Sequence, residues 1–337
     1  MSKTRRFWLG IAFSAAFSTF MLYLVIHDVD WQAAFAAIAK IDLAAVLAAM
    51  LLIGLGLVAR GFRWLYLLCH RLGISRSISL TFIAFLINNL LPFRAGDLAR
   101  IELAARGDPS VARATSLSVA VVERLLDLIT VALLFSLAFS GLSSVPRDFQ
   151  KIVPLISILA VLSIGILVSV ATVFQERVLG WVEAFQQRYT AVAKLELRHS
   201  MESLLRGLSV VRTPKYLILA LFWNAVAWTM LIVGYRVILD AMLIPANWSE
   251  TILLVVAVAL AITIPTTIAS IGIIEGGAVL ALTSQGYAYE SAFVVGLILH
   301  MVTLGAYTIQ GLWGMWSETL RFSTVKNISM IDVRPDT

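Results

Sequence analysis

Two apolar runs of 14 residues, each ended by a proline, constrain this chain more than any other feature. Residues 78–91 stop at Pro92, and residues 251–264 stop at Pro265. As helix, such a run rises roughly 21 Å, against a bilayer hydrocarbon core of about 30 Å. Neither run is therefore long enough to cross. Each proline is followed by glycine and a carboxylate, in PFRAGD and in PTTIASIGIIEGG. Apolar helices broken at mid-depth beside ionisable residues point to a transport site built from discontinuous helices.

The rest of the chain says which solvent those breaks meet. The 337 residues are 60% hydrophobic and only 14% charged, where soluble domains carry nearer 25% charge. Mean hydropathy is +0.91. Backbone polar groups in hydrocarbon must be satisfied within the spanning segment, and for single runs this length only helix does that. The sequence thus predicts an all-α integral membrane protein, a polytopic helix bundle. Full spans are expected at about 7–26, 43–68, 115–141, 152–173, 216–240 and 289–317, with broken segments at about 78–105 and 251–285. The first run is read as a retained span, because it is longer than a signal-peptide core and ends in HDVD without a small-residue cleavage site. Residues 174–215 are polar and amphipathic and read as helix on the membrane surface.

Composition also excludes other classes. The net charge of +6 resides in loops beside apolar runs, a membrane pattern and not a nucleic-acid footprint. The single cysteine, Cys69, rules out an intrachain disulfide. Four histidines scattered at 27, 70, 199 and 300 make no metal-ligand pattern. No metal, cofactor or enzymatic motif is expected, and no soluble stretch is long enough for a catalytic domain.

Basic residues set the orientation. Lys3, Arg5, Arg6, Arg71 and Arg76, the arginines and lysines of 174–215, and Arg321, Lys326 and Arg334 fall on one side if both termini are cytoplasmic. The opposite loops hold only Lys40, Arg147 and Lys151. To preserve that asymmetry both broken segments must be re-entrant hairpins, one opening inward and one outward. The chain then reads as one membrane domain, 1–321, with a short cytoplasmic tail at 322–337. Two repeats of the same order, about 7–141 and 152–317, cross in opposite senses. That is an inverted-topology repeat, common among secondary transporters.

Candidate binding residues cluster at the breaks. Pro92 removes an amide hydrogen and ends the helix, and Gly96 permits a tight return. Asn88 and Asn89 can satisfy backbone groups freed there. Arg94 and Arg100 flank Asp97, and a helix starting near Gly96 would present its amides with Arg94 to an anion. An ordinary cytoplasmic loop is the alternative. The next span holds Glu123, Arg124 and Asp127, with Glu123 and Asp127 on one face at i, i+4. Two acids and one arginine do not balance, so a cation from elsewhere is required, with Arg94 or Arg100 as the candidate. Such groups mark a cavity or a self-neutralising packing cluster.

In the second half Thr263, Thr266, Thr267 and Ser270 supply hydroxyls around Pro265. Gly272, Gly276 and Gly277 bracket Glu275. Glu275 has no basic neighbour in sequence, and reads equally as a proton carrier or as the cap of a broken helix. His300, alone among apolar residues, is more often a packed histidine than a ligand. Arg236 and Asp240, at i, i+4, read as a structural salt bridge. For Trp223, Asn224 and Trp228 the sequence does not choose between interfacial anchoring and packing.

At these residues, over about 5–320, the chain resembles the flippase-like membrane region of bacterial lysylphosphatidylglycerol synthases. The matching pieces are Asn88 or Asn89, Pro92, Arg94, Gly96, Asp97 and Arg100; then Glu123, Arg124 and Asp127; then Pro265, Gly272 and Glu275. Asp97 stands where that family usually has Glu, Ala269 and Ser270 fall in a stretch that is often glycine-rich, and His300 stands where it has Arg. The resemblance covers the membrane region and not the family's aminoacyl-transferase domain, so lysyl transfer is not expected of this chain. The resemblance implies a lipid flippase of a bacterial inner membrane, moving an anionic or lipid-linked head group between leaflets. Arg94, Arg100 and Arg124 would hold phosphate, while Asp97, Glu123, Asp127 and Glu275 would balance charge or carry protons. A membrane enzyme acting on a lipid-linked substrate and a non-catalytic partner of a separate synthase are the alternatives, and a homo-oligomer is open.

Overall fold

In the computed structural model, residues 3–39, 41–107, 111–141, 158, 162, 175–188, 213–263 and 269–331 are described. All regular structure among them is helical. α1 (Lys3–Ile26) is followed by α2 (Trp31–Ile38), and the axis turns by 91° between them. The sequence reading missed α2. Its signal was Asp30, whose carboxylate accepts the Gln32 and Ala33 amides at 2.9 and 3.3 Å as an N-cap. The apolar face of α2 then packs Ala34 and Trp31 onto Phe293 and Val294.

α3 (Leu43–Leu67), α8 (Pro214–Ala241) and the first part of α11 (Tyr289–Ile331) are long and apolar enough to span. α3 and α8 form the most extensive helix pair. Gly56 lies against the Ala227 carbonyl and Gly234 against Ile53, so the two backbones approach closely, the way helices associate without a hydrophobic drive between them. α6 (Arg113–Ser140) has spanning length but carries Glu123, Arg124 and Asp127 near its middle. α11 runs past the expected end of the last span, so residues 322–331 of the anticipated tail are helix. The expected span at 152–173 lies outside the described residues. Of 174–215, one helix is described, α7 (Gln175–Arg188), which buries Leu179 in the apolar cluster that also holds Leu67, Leu68 and Ala104 and leaves Trp181 exposed.

Each short run is one arm of a helical hairpin. α4 (Ile74–Leu90) ends at Leu91; a single 3₁₀ turn, Pro92–Arg94, leads into α5 (Ala95–Gly107). α5 folds back antiparallel on α4. Gly96 packs on the Ala84 carbonyl, and the Arg76 guanidinium donates to the Leu103 carbonyl at 3.1 Å. In the second half α9 (Trp248–Ile262) and α10 (Ile273–Thr283) pair the same way. Gly277 lies on Val258, and the Tyr287 hydroxyl reaches back to Glu250 at 2.8 Å. α4, α9 and α10 have 17, 15 and 11 residues, or roughly 26, 22 and 16 Å, each below the hydrocarbon thickness.

Candidate functional site: a cationic cavity between two broken hairpins

The tips of the two hairpins meet. Arg94, from the first, donates at 3.5 Å to the Ile262 carbonyl at the end of α9. Between them lies a 440 Å³ cavity, within the range of small-ligand sites. Its wall takes Asn88, Asn89, Pro92 and Arg94 from the first hairpin, and Thr263 and Ser270 from the second. Arg60 comes from α3, Arg124 and Asp127 from α6, Trp228 and Tyr235 from α8, and Thr303 and Tyr307 from α11.

Local backbone explains the breaks. With no amide hydrogen, Pro92 cannot continue the helix. The freed Gly96 amide donates instead to the Asn88 side-chain oxygen at 2.8 Å, while the Asn88 amide donates to Asp97 at 3.1 Å. A Cβ at Gly96 would fall 1.9 Å from the Ala84 carbonyl oxygen. Arg94 has φ +52°, and at the second break Ala269, Ser270 and Gly272 have φ +55°, +58° and +78°. Left-handed backbone at non-glycine residues is strained, and such strain gathers at ligand clamps and switch regions. Pro265, Thr266 and Thr267 lie outside the described residues.

Behind the wall is a buried ion network. Arg63, missed in the sequence reading, is its hub. It donates to Asp127 at 2.6 Å, to Asn224 at 2.5 Å and to Glu123 at 3.3 Å. Asn224 in turn donates to Thr130 at 2.9 Å, so its role is packing inside the bundle. Arg100 pairs with the other Glu123 oxygen and lies over Trp64. Arg124 pairs with Asp97 at 2.5 Å and reaches Asp127 at 3.8 Å. Arg60, also missed, is 3.6 Å from Asp127 and lies against Phe85 and Trp228. The same rule that singled out α6, charge inside an apolar run, would have found both residues in the VARGFRWLY stretch of α3.

The expected external cation for α6 is thus Arg100 together with Arg63 and Arg60, not Arg94. Arg100 and Glu123, both expected at a binding site, are buried in this network and are not among the residues lining the cavity. Asp97 is likewise held by Asn88 and Arg124. Arg94 makes no salt bridge among the described residues. Two residues of the wall carry a buried donor with no hydrogen-bond partner among the described residues, Asn89 Nδ2 and Trp228 Nε1, both closed off from the cavity itself.

Glu275 sits just behind the wall residue Ile274. It accepts the Gly272 amide at 2.9 Å and meets His300 Nδ1 at 2.7 Å, so the distant partner it requires is His300. At Gly272 a Cβ would fall 2.5 Å from the Leu22 amide nitrogen, which locks α1 against the start of α10. Arg236 and Asp240 form the anticipated salt bridge at 2.7 Å. No group of metal-ligating side chains occurs among the described residues.

Comparison with known proteins follows the same residues. Neither curated proteins nor solved structures provide a match. A family model described as "Lysylphosphatidylglycerol synthase TM region" matches residues 7–311. The chain, with its broken hairpins, buried arginines and apolar spans, belongs to the family of the lysylphosphatidylglycerol synthase TM region.

Proposed function

We propose that this protein is a lipid flippase of a bacterial inner membrane, moving an anionic or lipid-linked head group between leaflets. The observation that carries the reading is a cavity wall with three arginines against one carboxylate, built where two non-spanning hairpins meet. Guanidinium groups suit phosphate through paired, charge-assisted hydrogen bonds. The wall is amphipathic as well. Leu91, Leu128 and Leu260 line the cavity yet are 46%, 52% and 47% exposed, on the hairpin tip, α6 and α9. An apolar rim of this kind supports a ligand whose tails stay in lipid while its head enters the polar chamber.

The hairpins supply the moving parts of this mechanism. A phosphate that captures Arg94 competes with the Ile262 carbonyl, the one polar contact joining the two tips among the described residues. Head-group binding thereby loosens the tips. The halves, as inverted repeats with both termini cytoplasmic, then rock to open the cavity to the opposite face. Arg63, Arg100, Glu123 and Asp97 hold the frame rigid and do not touch the ligand.

Purified protein reconstituted into vesicles with a tail-labelled anionic phospholipid tests this. Leaflet exchange above the protein-free rate is expected from the wild type, and none from Arg94→Ala. Wild-type exchange by Arg94→Ala would remove the assignment. Conversion of the lipid to a new product, seen by mass spectrometry, would make the same cavity an enzyme's.

A further inference from the structure

The charges around this cavity do not cancel, and the remainder has a definite size. Five arginines, Arg60, Arg63, Arg94, Arg100 and Arg124, meet three carboxylates, Asp97, Glu123 and Asp127. That leaves two positive charges. Counting only the wall gives the same remainder, with Arg60, Arg94 and Arg124 against Asp127. Glu275 is not among the residues lining the cavity, and its carboxylate is engaged by His300 and the Gly272 amide. Charge enclosed in protein is weakly screened by salt, so the surplus acts on whatever enters. Arg94 points the same way, since it lines the cavity and its guanidinium, held among the described residues by one long hydrogen bond to the Ile262 carbonyl, is a donor only.

Resting on the carrier reading above, we infer that the cavity selects a head group bearing two negative charges: a terminal, doubly ionised phosphate monoester, in preference to a phosphodiester. A terminal phosphate brings three acceptor oxygens and about two charges near neutral pH. It offers acceptors to the Arg94 guanidinium and neutralises both surplus charges. A diester brings one charge and leaves a guanidinium uncompensated. A zwitterionic head adds a cation to a wall that is already positive. Arg94 is the residue that sets the count, because it alone of the five arginines lacks a carboxylate partner among the described residues.

The test uses the full chain in detergent at about pH 8, where a monoester phosphate is doubly ionised. Four ligands are titrated: dihexanoyl phosphatidic acid, its phosphate methyl ester with one charge, dihexanoyl phosphatidylcholine, and glycerol 3-phosphate, which has two charges and no tails. Phosphatidic acid is expected to bind at least about tenfold tighter than its methyl ester, the scale of one added charged hydrogen-bond set, with phosphatidylcholine weakest. Arg94→Gln lowers the surplus to one and is expected to bring the ratio of acid to ester close to unity. An unchanged unfolding temperature of the ligand-free variant shows that its fold is intact. Equal binding of acid and ester by the wild type overturns the inference while leaving a lipid carrier standing. So does a ratio that Arg94→Gln leaves untouched, or the absence of saturable binding by any of the lipids. Glycerol 3-phosphate binding as tightly as phosphatidic acid upholds the charge rule and instead removes the lipid reading.

Discussion

Arg63 and Arg94 both sit inside an apolar bundle, yet their replacement by alanine should have opposite consequences. Arg63 donates to Asp127, Glu123 and Asn224 and is almost wholly buried. Its removal strips the short contact from Asp127, leaving Arg60 and Arg124 at 3.6 and 3.8 Å, and strands the Asn224 oxygen. Glu123 keeps Arg100. Breaking a buried pair costs about 3–5 kcal/mol when the remaining charge is uncompensated. Because each acid retains a second guanidinium, Arg63→Ala should lose about 3 kcal/mol, at the lower end of that range. Arg63→Lys should fall between, since one ammonium cannot reproduce a planar fork serving three acceptors. Among the described residues, Arg94→Ala removes no ion pair and one long hydrogen bond, to Ile262. It should lose less than about 1 kcal/mol while abolishing lipid exchange. Fluorescence-monitored thermal unfolding in micelles, beside vesicle exchange, measures both quantities. If Arg94→Ala were as destabilised as Arg63→Ala, the division into a scaffold arginine and a binding arginine would be wrong.

Other perturbations follow from single contacts. Gly96→Ala places a methyl group 1.9 Å from a backbone oxygen; the α4/α5 hairpin must splay, and about 3 kcal/mol or more of stability should go, visible as increased protease sensitivity. Glu275→Ala leaves both the Gly272 amide and His300 without a partner in a buried site, and should lower thermal stability by roughly 2–3 kcal/mol. Partial burial and its hydrogen bond to Glu250 push the Tyr287 phenol up to about 12 from the ordinary 10. A folded-state value above the unfolded one means this contact stabilises fully below pH 10 and is lost as pH rises through about 12. Tyr287→Phe should therefore erase the difference in unfolding temperature between neutral and strongly alkaline solution that this group contributes, read by the same thermal assay.

Much of the fold was legible because membrane rules are local. Run length, composition and the positions of Pro92 and Gly96 place spans and breaks without any tertiary information. α2 escaped because a short helix after a turn has no spanning signature, and only Asp30 marks its start. In the site, residues beside the breaks were legible by their company in sequence. Arg60 and Arg63 carried the same signal in α3 but were passed over inside a run that otherwise looks like a plain span. The Glu275–His300 contact joins residues 25 apart on two helices, and neither residue's sequence neighbourhood names the other.

What the chain determines by itself, then, is which segments lipid accepts and where helix must stop, since hydrocarbon solubility and a missing amide hydrogen are properties of the residues alone. Which arginine is bound to a carboxylate and which lines the cavity without one is different. Arg94 is closer in sequence to Asp97 than Arg63 is to any acid of the network, yet among the described residues Arg63 is paired with a carboxylate and Arg94 is not. That choice depends on distances of a few ångströms between α3, α5 and α6. Only the packed bundle sets them, because Coulomb attraction and hydrogen bonding act through space and not along the chain.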